Sequence, residues 1–191
     1  MNKIWQLFFL PLVVLYYFVD KSLLLSIYFA LAILLLGSDY LSRFNVKFGQ
    51  IVQKIINFDN KSNKISPLAY FIAGSLLVLL FFSQQNALNA ILITILCPII
   101  ASLAEKNFQI RDFFEKNLSF VIGFLASGVI ILIANNLILG LNLSYFFFAL
   151  ISLIATTIIA CRPSFIDINH NFLLIIAFAL TNGCFGLIWQ I

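Results

Sequence analysis

Long unbroken apolar stretches, separated by short polar ones, set the pattern of this chain. Seven of them run over about residues 4–19, 22–41, 67–83, 87–104, 118–135, 143–160 and 172–189. None alternates with the period of two that marks a half-buried strand. Lipid offers the backbone no hydrogen-bond partners, so segments this apolar are expected as helices that close their own bonds. About 20 residues are needed to cross a ~30 Å hydrocarbon core, which leaves the first and third stretches short. The pattern predicts an all-α polytopic bundle of about seven transmembrane helices, forming one integral-membrane domain over residues 1–191.

The connecting segments divide by charge. Placing the N-terminus inside puts Lys3, then Arg43, Lys47, Lys54, Lys61 and Lys64, then Lys106, Arg111 and Lys116, and finally Arg162 on one side. These are ten of the eleven basic residues, and only Lys21 falls on the other side. The opposite loops read SQQN (83–86) and NNLILGLN (135–142), polar without charge. The positive-inside rule then gives an N-in, C-out topology, and six or eight spans would scramble the asymmetry.

Composition agrees. The 191 residues are 63% hydrophobic and 9% charged, and the mean hydropathy is +1.09. A soluble domain is nearer half apolar and a quarter charged. The net charge of +4 points to anionic lipid at the inner face rather than nucleic acid. The first stretch ends in Tyr16, Tyr17 and Phe18 with no small-residue cleavage pattern after it, so it is expected to stay as a helix. Cys97, Cys161 and Cys184 show no CxxC spacing, which indicates neither a disulfide framework nor a zinc site. The expected location is an inner, cytoplasmic bacterial membrane.

The polar residues that remain are few. Asp39 and Arg43 share a face at i, i+4, either as an ion pair ending a helix or as part of a site. Between 43 and 66 the apolar positions Phe48, Ile51, Val52, Ile55 and Phe58 recur at helical spacing among lysines, which predicts a basic helix in the headgroup plane. Pro98 lies inside the fourth stretch, where a missing donor and a clash with the Thr94 carbonyl predict a kink or opening. Glu105, Lys106, Arg111, Asp112, Glu115 and Lys116 then place six charges within twelve residues. Arg111–Glu115 and Asp112–Lys116 are i, i+4 pairs that an interfacial helix alone would explain. Gly123, Ser127, Gly128, Ala179, Gly183 and Gly186 read as close-packing faces. Asp167, Asn169, His170 and Asn171 crowd the last inside loop. Phosphate-loop, dinucleotide, zinc-protease and serine-hydrolase motifs are all missing from the sequence. No acid stands at mid-bilayer depth, which argues against a proton-coupled carrier.

Taken in order, five stretches resemble the integral-membrane lipid kinases that include dolichol kinase, phytol kinase and CTP-dependent diacylglycerol kinase, relatives of the phosphatidate cytidylyltransferases. They are SDYLSR (38–43), SPLAYFIAGSLLVLL (66–80), CPIIASLAEKNF (97–108), EKNLSFVIGFLAS (115–127) and FIDINHN (165–171). At the family's aspartate position stands Pro98, with Cys97 and Glu105 at its two glycines. The lysine-serine pair reads Lys116-Asn117. The resemblance implies nucleotide-dependent phosphorylation of a lipid alcohol, a polyprenol or diacylglycerol, from CTP or ATP with a divalent cation such as Mg. Asp39, Glu105, Lys116 and Asp167 would be catalytic. Arg43, Lys106, Arg111, Asn117, Asn169 and Asn171 would bind substrate. Phosphoryl transfer needs cationic charge and a base for the alcohol, and these residues supply both types. Loss of activity in this chain is compatible with the Pro98 replacement. Two other readings stand beside it: a small carrier or flippase with a cavity lined by Asn135, Asn136 and Asn182, and a non-catalytic subunit packing through Gly123 and Gly183.

Overall fold

The structure, a computed structural model, describes residues 10–15, 17–44, 66–107, 113–140, 143–161 and 169–188, with side chains described except at 12, 42–44, 106–107, 113–117 and 185–188. The described residues form seven helices: α1 (Leu10–Leu15), α2 (Lys21–Phe44), α3 (Pro67–Phe81), α4 (Gln84–Asn107), α5 (Phe113–Leu139), α6 (Leu143–Cys161) and α7 (His170–Ile188). The expected basic helix between 43 and 66 falls mostly outside the described residues.

Four of these helices, α2, α4, α5 and α6, are long and apolar enough to cross a membrane. Helix α3 is apolar but shorter, at 15 residues, or about 22 Å at 1.5 Å per residue. Helix α1 ends at Leu15, earlier than the apolar stretch suggests, and the chain turns through Tyr17–Val19, where the Val19 N–H bonds the Leu15 carbonyl at 2.9 Å. The turn brings the Tyr17 hydroxyl to Asn135.

The side-chain pattern is that of a bundle in lipid. On α6 the outward residues are Phe147, Ile151, Ile154 and Ile158, each about half exposed. The inward ones are Ser152, Leu153, Thr156 and Thr157. Their hydroxyls return to the helix's own carbonyls, Thr156 to Ser152 at 2.7 Å and Thr157 to Leu153 at 2.7 Å. Small polar groups inside and large apolar ones outside invert the arrangement water would impose. Without a hydrophobic drive between helices, close packing and interhelical hydrogen bonds hold the bundle.

Helix α4 is the centre. Its apolar window is 61% buried, against 22–33% in α2, α5 and α6. Residues 86–95 are buried on every face, as expected for a helix apolar all round. Around it, α5 packs closely along one side, α3 and α7 along another, and α1 touches it. Helix α2 covers α3, and α6 bridges α5 and α7.

The small residues do what their spacing predicts. A Cβ on Gly123 would lie 3.0 Å from the Ala101 Cα and 3.1 Å from the Ala104 Cβ, so α4 and α5 meet there nearly backbone to backbone. A Cβ on Gly128 would lie 2.3 Å from Leu153, which seats α6. Gly183 serves α7 in the same way against the Phe82 ring. Gly123 and Gly183 are therefore occupied within the chain, and a partner helix would need another face. Helix α4 runs through Pro98 without interruption, so of the kink or opening that the sequence suggests, no break in the helix is seen. Pro98 is buried, and neighbouring helices make an interior proline tolerable.

Candidate functional site

The packing contacts define two ends. At one, α2 and α4 finish and α3, α5 and α7 begin. The helix ends and connecting segments on this side, with Lys3, carry ten of the eleven basic residues of the sequence, so it is the charged end. At the other, α3, α5 and α7 finish and α4 and α6 begin. Its loops carry Asp20 and Lys21 as their charges, and it is the neutral end.

The charged end is organised by helix starts. Ser66 precedes α3 in an extended conformation (φ −60°, ψ 144°), and its side chain accepts the Ala69 N–H at 3.2 Å. Pro67 fills the first helical position, where a missing N–H costs nothing. The Ser66 N–H in turn donates to the Asp39 carboxylate at 2.9 Å. Asp39 is 8% exposed and lies where the positive end of the α3 dipole favours an anion. Asp39 thus joins the end of α2 to the start of α3, across 27 residues of sequence.

Helix α7 starts by the same device. The Asn169 side-chain carbonyl accepts the Asn171 N–H at 3.0 Å, and its backbone carbonyl accepts the Leu173 N–H at 3.2 Å. Asn171 is buried. The starts of α3 and α7 lie side by side, with the Tyr70 and Phe172 rings edge to face at 6.0 Å. Gly74 leaves room there for Phe172.

Of the residues expected in a site, Asp39, Asn169 and Asn171 are therefore at this end, with Asp39 and Asn169 holding helix starts. Glu105 is half-buried in the last turn of α4. Arg43, Lys106, Lys116 and Asn117 lie on α2, α4 and α5 at the same end, with side chains outside those described. Arg111 and Asp167 lie outside the described residues. Among the described residues no three His, Cys, Asp or Glu side chains gather as a metal site.

The neutral end holds a feature that sequence reasoning found only in part. Tyr17 donates to the Asn135 side-chain carbonyl, and the Asn135 amide donates to the Asn89 carbonyl. The Asn89 amide donates to the Tyr145 hydroxyl at 3.1 Å. The Asn182 amide donates to the same hydroxyl at 3.1 Å and to the Asn86 carbonyl at 3.1 Å. The Asn86 amide ends the chain on the Ala179 backbone carbonyl at 2.9 Å. Six side chains from the α1–α2 turn, α4, α5, α6 and α7 form one continuous network, and all four asparagines are at most 3% exposed. Asn135 and Asn182 were expected to line a cavity. Asn86, Asn89, Tyr17 and Tyr145 were not anticipated. The available signal was Asn86 and Asn89 at i, i+3, one face of the helix that proves central.

Two further bonds close this end. The Lys21 ammonium donates to the Phe82 carbonyl at 2.8 Å, a cation at the C-terminus of α3 where the dipole favours it. Gln84 donates to the Val19 carbonyl at 3.3 Å. The one basic residue on the neutral side thus has a structural task.

Comparison of the chain with protein-family models, with curated proteins and with solved structures gives no match.

Proposed function

We propose that the chain is an integral-membrane phosphotransferase of the lipid-kinase type, with seven crossings, N-in and C-out, acting on a lipid alcohol at its charged end. One observation carries this reading: the Asp39–Ser66 bond joins the first two of the five resembling stretches. The other stretches fit the same picture. Gly123 sets 115–127 against 97–108, and Phe172, one residue past 165–171, packs on 66–80.

On this reading Lys106, Arg111 and Lys116 supply cationic charge for the nucleotide, and Arg43, Asn117, Asn169 and Asn171 border the lipid headgroup. Glu105 and Asp167 are the candidates for accepting the alcohol proton. Asp39, accepting a backbone N–H at a helix start, is a positioning residue that fixes α2 and α3 at the rim. The test is purified protein in lipid nanodiscs with γ-labelled CTP or ATP and a mixture of polyprenol and diacylglycerol. Label is expected in the lipid and is expected to vanish in Glu105→Gln or Asp167→Asn. Neither transfer nor nucleotide binding by the wild type would contradict the reading.

A second reading, a small carrier, is favoured by the buried network at the neutral end. Flux of a polar solute into proteoliposomes, reduced by Tyr145→Phe, would support it over phosphotransfer.

A further inference from the structure

The network at the neutral end has a fixed polarity. The Ala179 carbonyl can only accept, so the Asn86 amide nitrogen must face it. That orientation presents the Asn86 oxygen to Asn182, so the Asn182 nitrogen must face Asn86. Turning the Asn182 amide over would set two carbonyl oxygens against each other. The Asn182 nitrogen is therefore fully used, on Asn86 and on Tyr145. Its oxygen is left buried with no hydrogen-bond partner, on a side chain 3% exposed.

Tyr145 is held in the complementary state. Its hydroxyl accepts from both Asn89 and Asn182, so its own proton is available to donate. One buried acceptor and one donor thus stand beside the same Asn182–Tyr145 bond. A second buried acceptor without a partner, the Asn136 oxygen, sits at the same end on α5. A buried carbonyl left unsatisfied carries the desolvation cost of that group with nothing to offset it, and the bundle's helices are already joined without it.

We propose that the neutral end is a binding site for a hydroxyl-bearing, uncharged ligand, whose hydroxyl donates to the Asn182 oxygen and accepts from the Tyr145 hydroxyl. A hydroxyl is the group that has both functions on one atom. Charged ligands fit poorly. Among the described residues the formal charges of this end are Asp20 and Lys21, adjacent and opposite, and an ion at the network would be buried without a counter-charge. An alkali cation would need more oxygens than the two left over.

The hydroxyl can belong to a membrane lipid or to a dissolved polyol. The full-length protein in phosphatidylcholine nanodiscs, without nucleotide, is offered tritiated monoolein in the bilayer or tritiated glycerol in solution. Saturable binding of either supports the proposal, and the arm that binds names the source. The dimethyl ether of monoolein, or the trimethyl ether of glycerol, is expected to bind at least about tenfold more weakly, since the site's acceptor then faces no donor. Asn182→Leu is expected to abolish binding. If that variant does not fold, the ether comparison on the wild type still decides. Binding of neither probe, equal binding of alcohol and ether, or binding unchanged in folded Asn182→Leu would overturn the proposal. Because nucleotide is absent, the result is independent of whether the charged end transfers phosphoryl groups.

Discussion

At the charged end, buried polar side chains face backbone; at the neutral end, they face one another. Asp39, Ser66 and Asn169 each accept a main-chain N–H at the start of a helix. These bonds are local, and each satisfies a donor that any helix start leaves open. At the neutral end, Tyr17, Asn86, Asn89, Asn135, Tyr145 and Asn182 are linked mainly side chain to side chain. No helix start requires those bonds. They tie five parts of the chain together and leave the Asn182 oxygen over. The contrast separates polar residues the backbone demands from polar residues the fold could have omitted. Functional inference is stronger from the second kind.

That contrast can be broken by substitution, and unfolding in detergent or nanodiscs measures each case. Tyr145→Phe leaves the amides of Asn89 and Asn182 without their shared acceptor. With about 1–3 kcal/mol per orphaned buried group, a loss of about 2–4 kcal/mol is expected. A loss below that of the capping variants would mean the network is loosely made. Asp39→Ala removes a charged acceptor from a buried N–H and is expected to cost about 1.5–3 kcal/mol. Asp39→Asn keeps an acceptor and should cost less; a cost equal to that of Asp39→Ala would show that the carboxylate charge carries the whole effect, and a cost near zero that it plays no part.

The smaller effects follow. Asn169→Ala removes the cap of α7 and is expected to cost about 1 kcal/mol. Lys21→Met removes the cation at the end of α3, for about 0.3–1 kcal/mol. Helix exchange protection should loosen at α7 for the first variant and at α3 for the second.

Much of this architecture was legible in the sequence. The stretch 143–160 became Leu143–Cys161 and the stretch 67–83 became Pro67–Phe81, because apolar length and the Ser66-Pro67 start are written locally. The four long apolar helices belong to a membrane bundle, as composition required. The close-packing roles of Gly123, Gly128 and Gly183 were also legible, since spacing alone selects them.

What escaped the sequence was partnership. Asp39 was read with Arg43, four residues on, or as part of a site, and the sequence held no sign that its carboxylate also accepts the Ser66 N–H at the start of the next helix. Asn86 and Asn89 share a face at i, i+3, but that spacing names no partners, because each bonds to other helices. The end of α1 at Leu15 follows from a turn that seats Tyr17 on Asn135, more than a hundred residues away. Arg111 and Asp167, central to the phosphotransfer reading, lie outside the described residues.

The central claim is that the two ends face opposite sides of a membrane, with the charged one inside. In a cysteine-free background, Gln85→Cys and Lys61→Cys are treated with a membrane-impermeant maleimide on intact cells. Gln85 is exposed in the first turn of α4, beside the neutral network. The account predicts labelling of position 85 from outside, and of position 61 only after the membrane is opened. Labelling of position 61 on intact cells would contradict it.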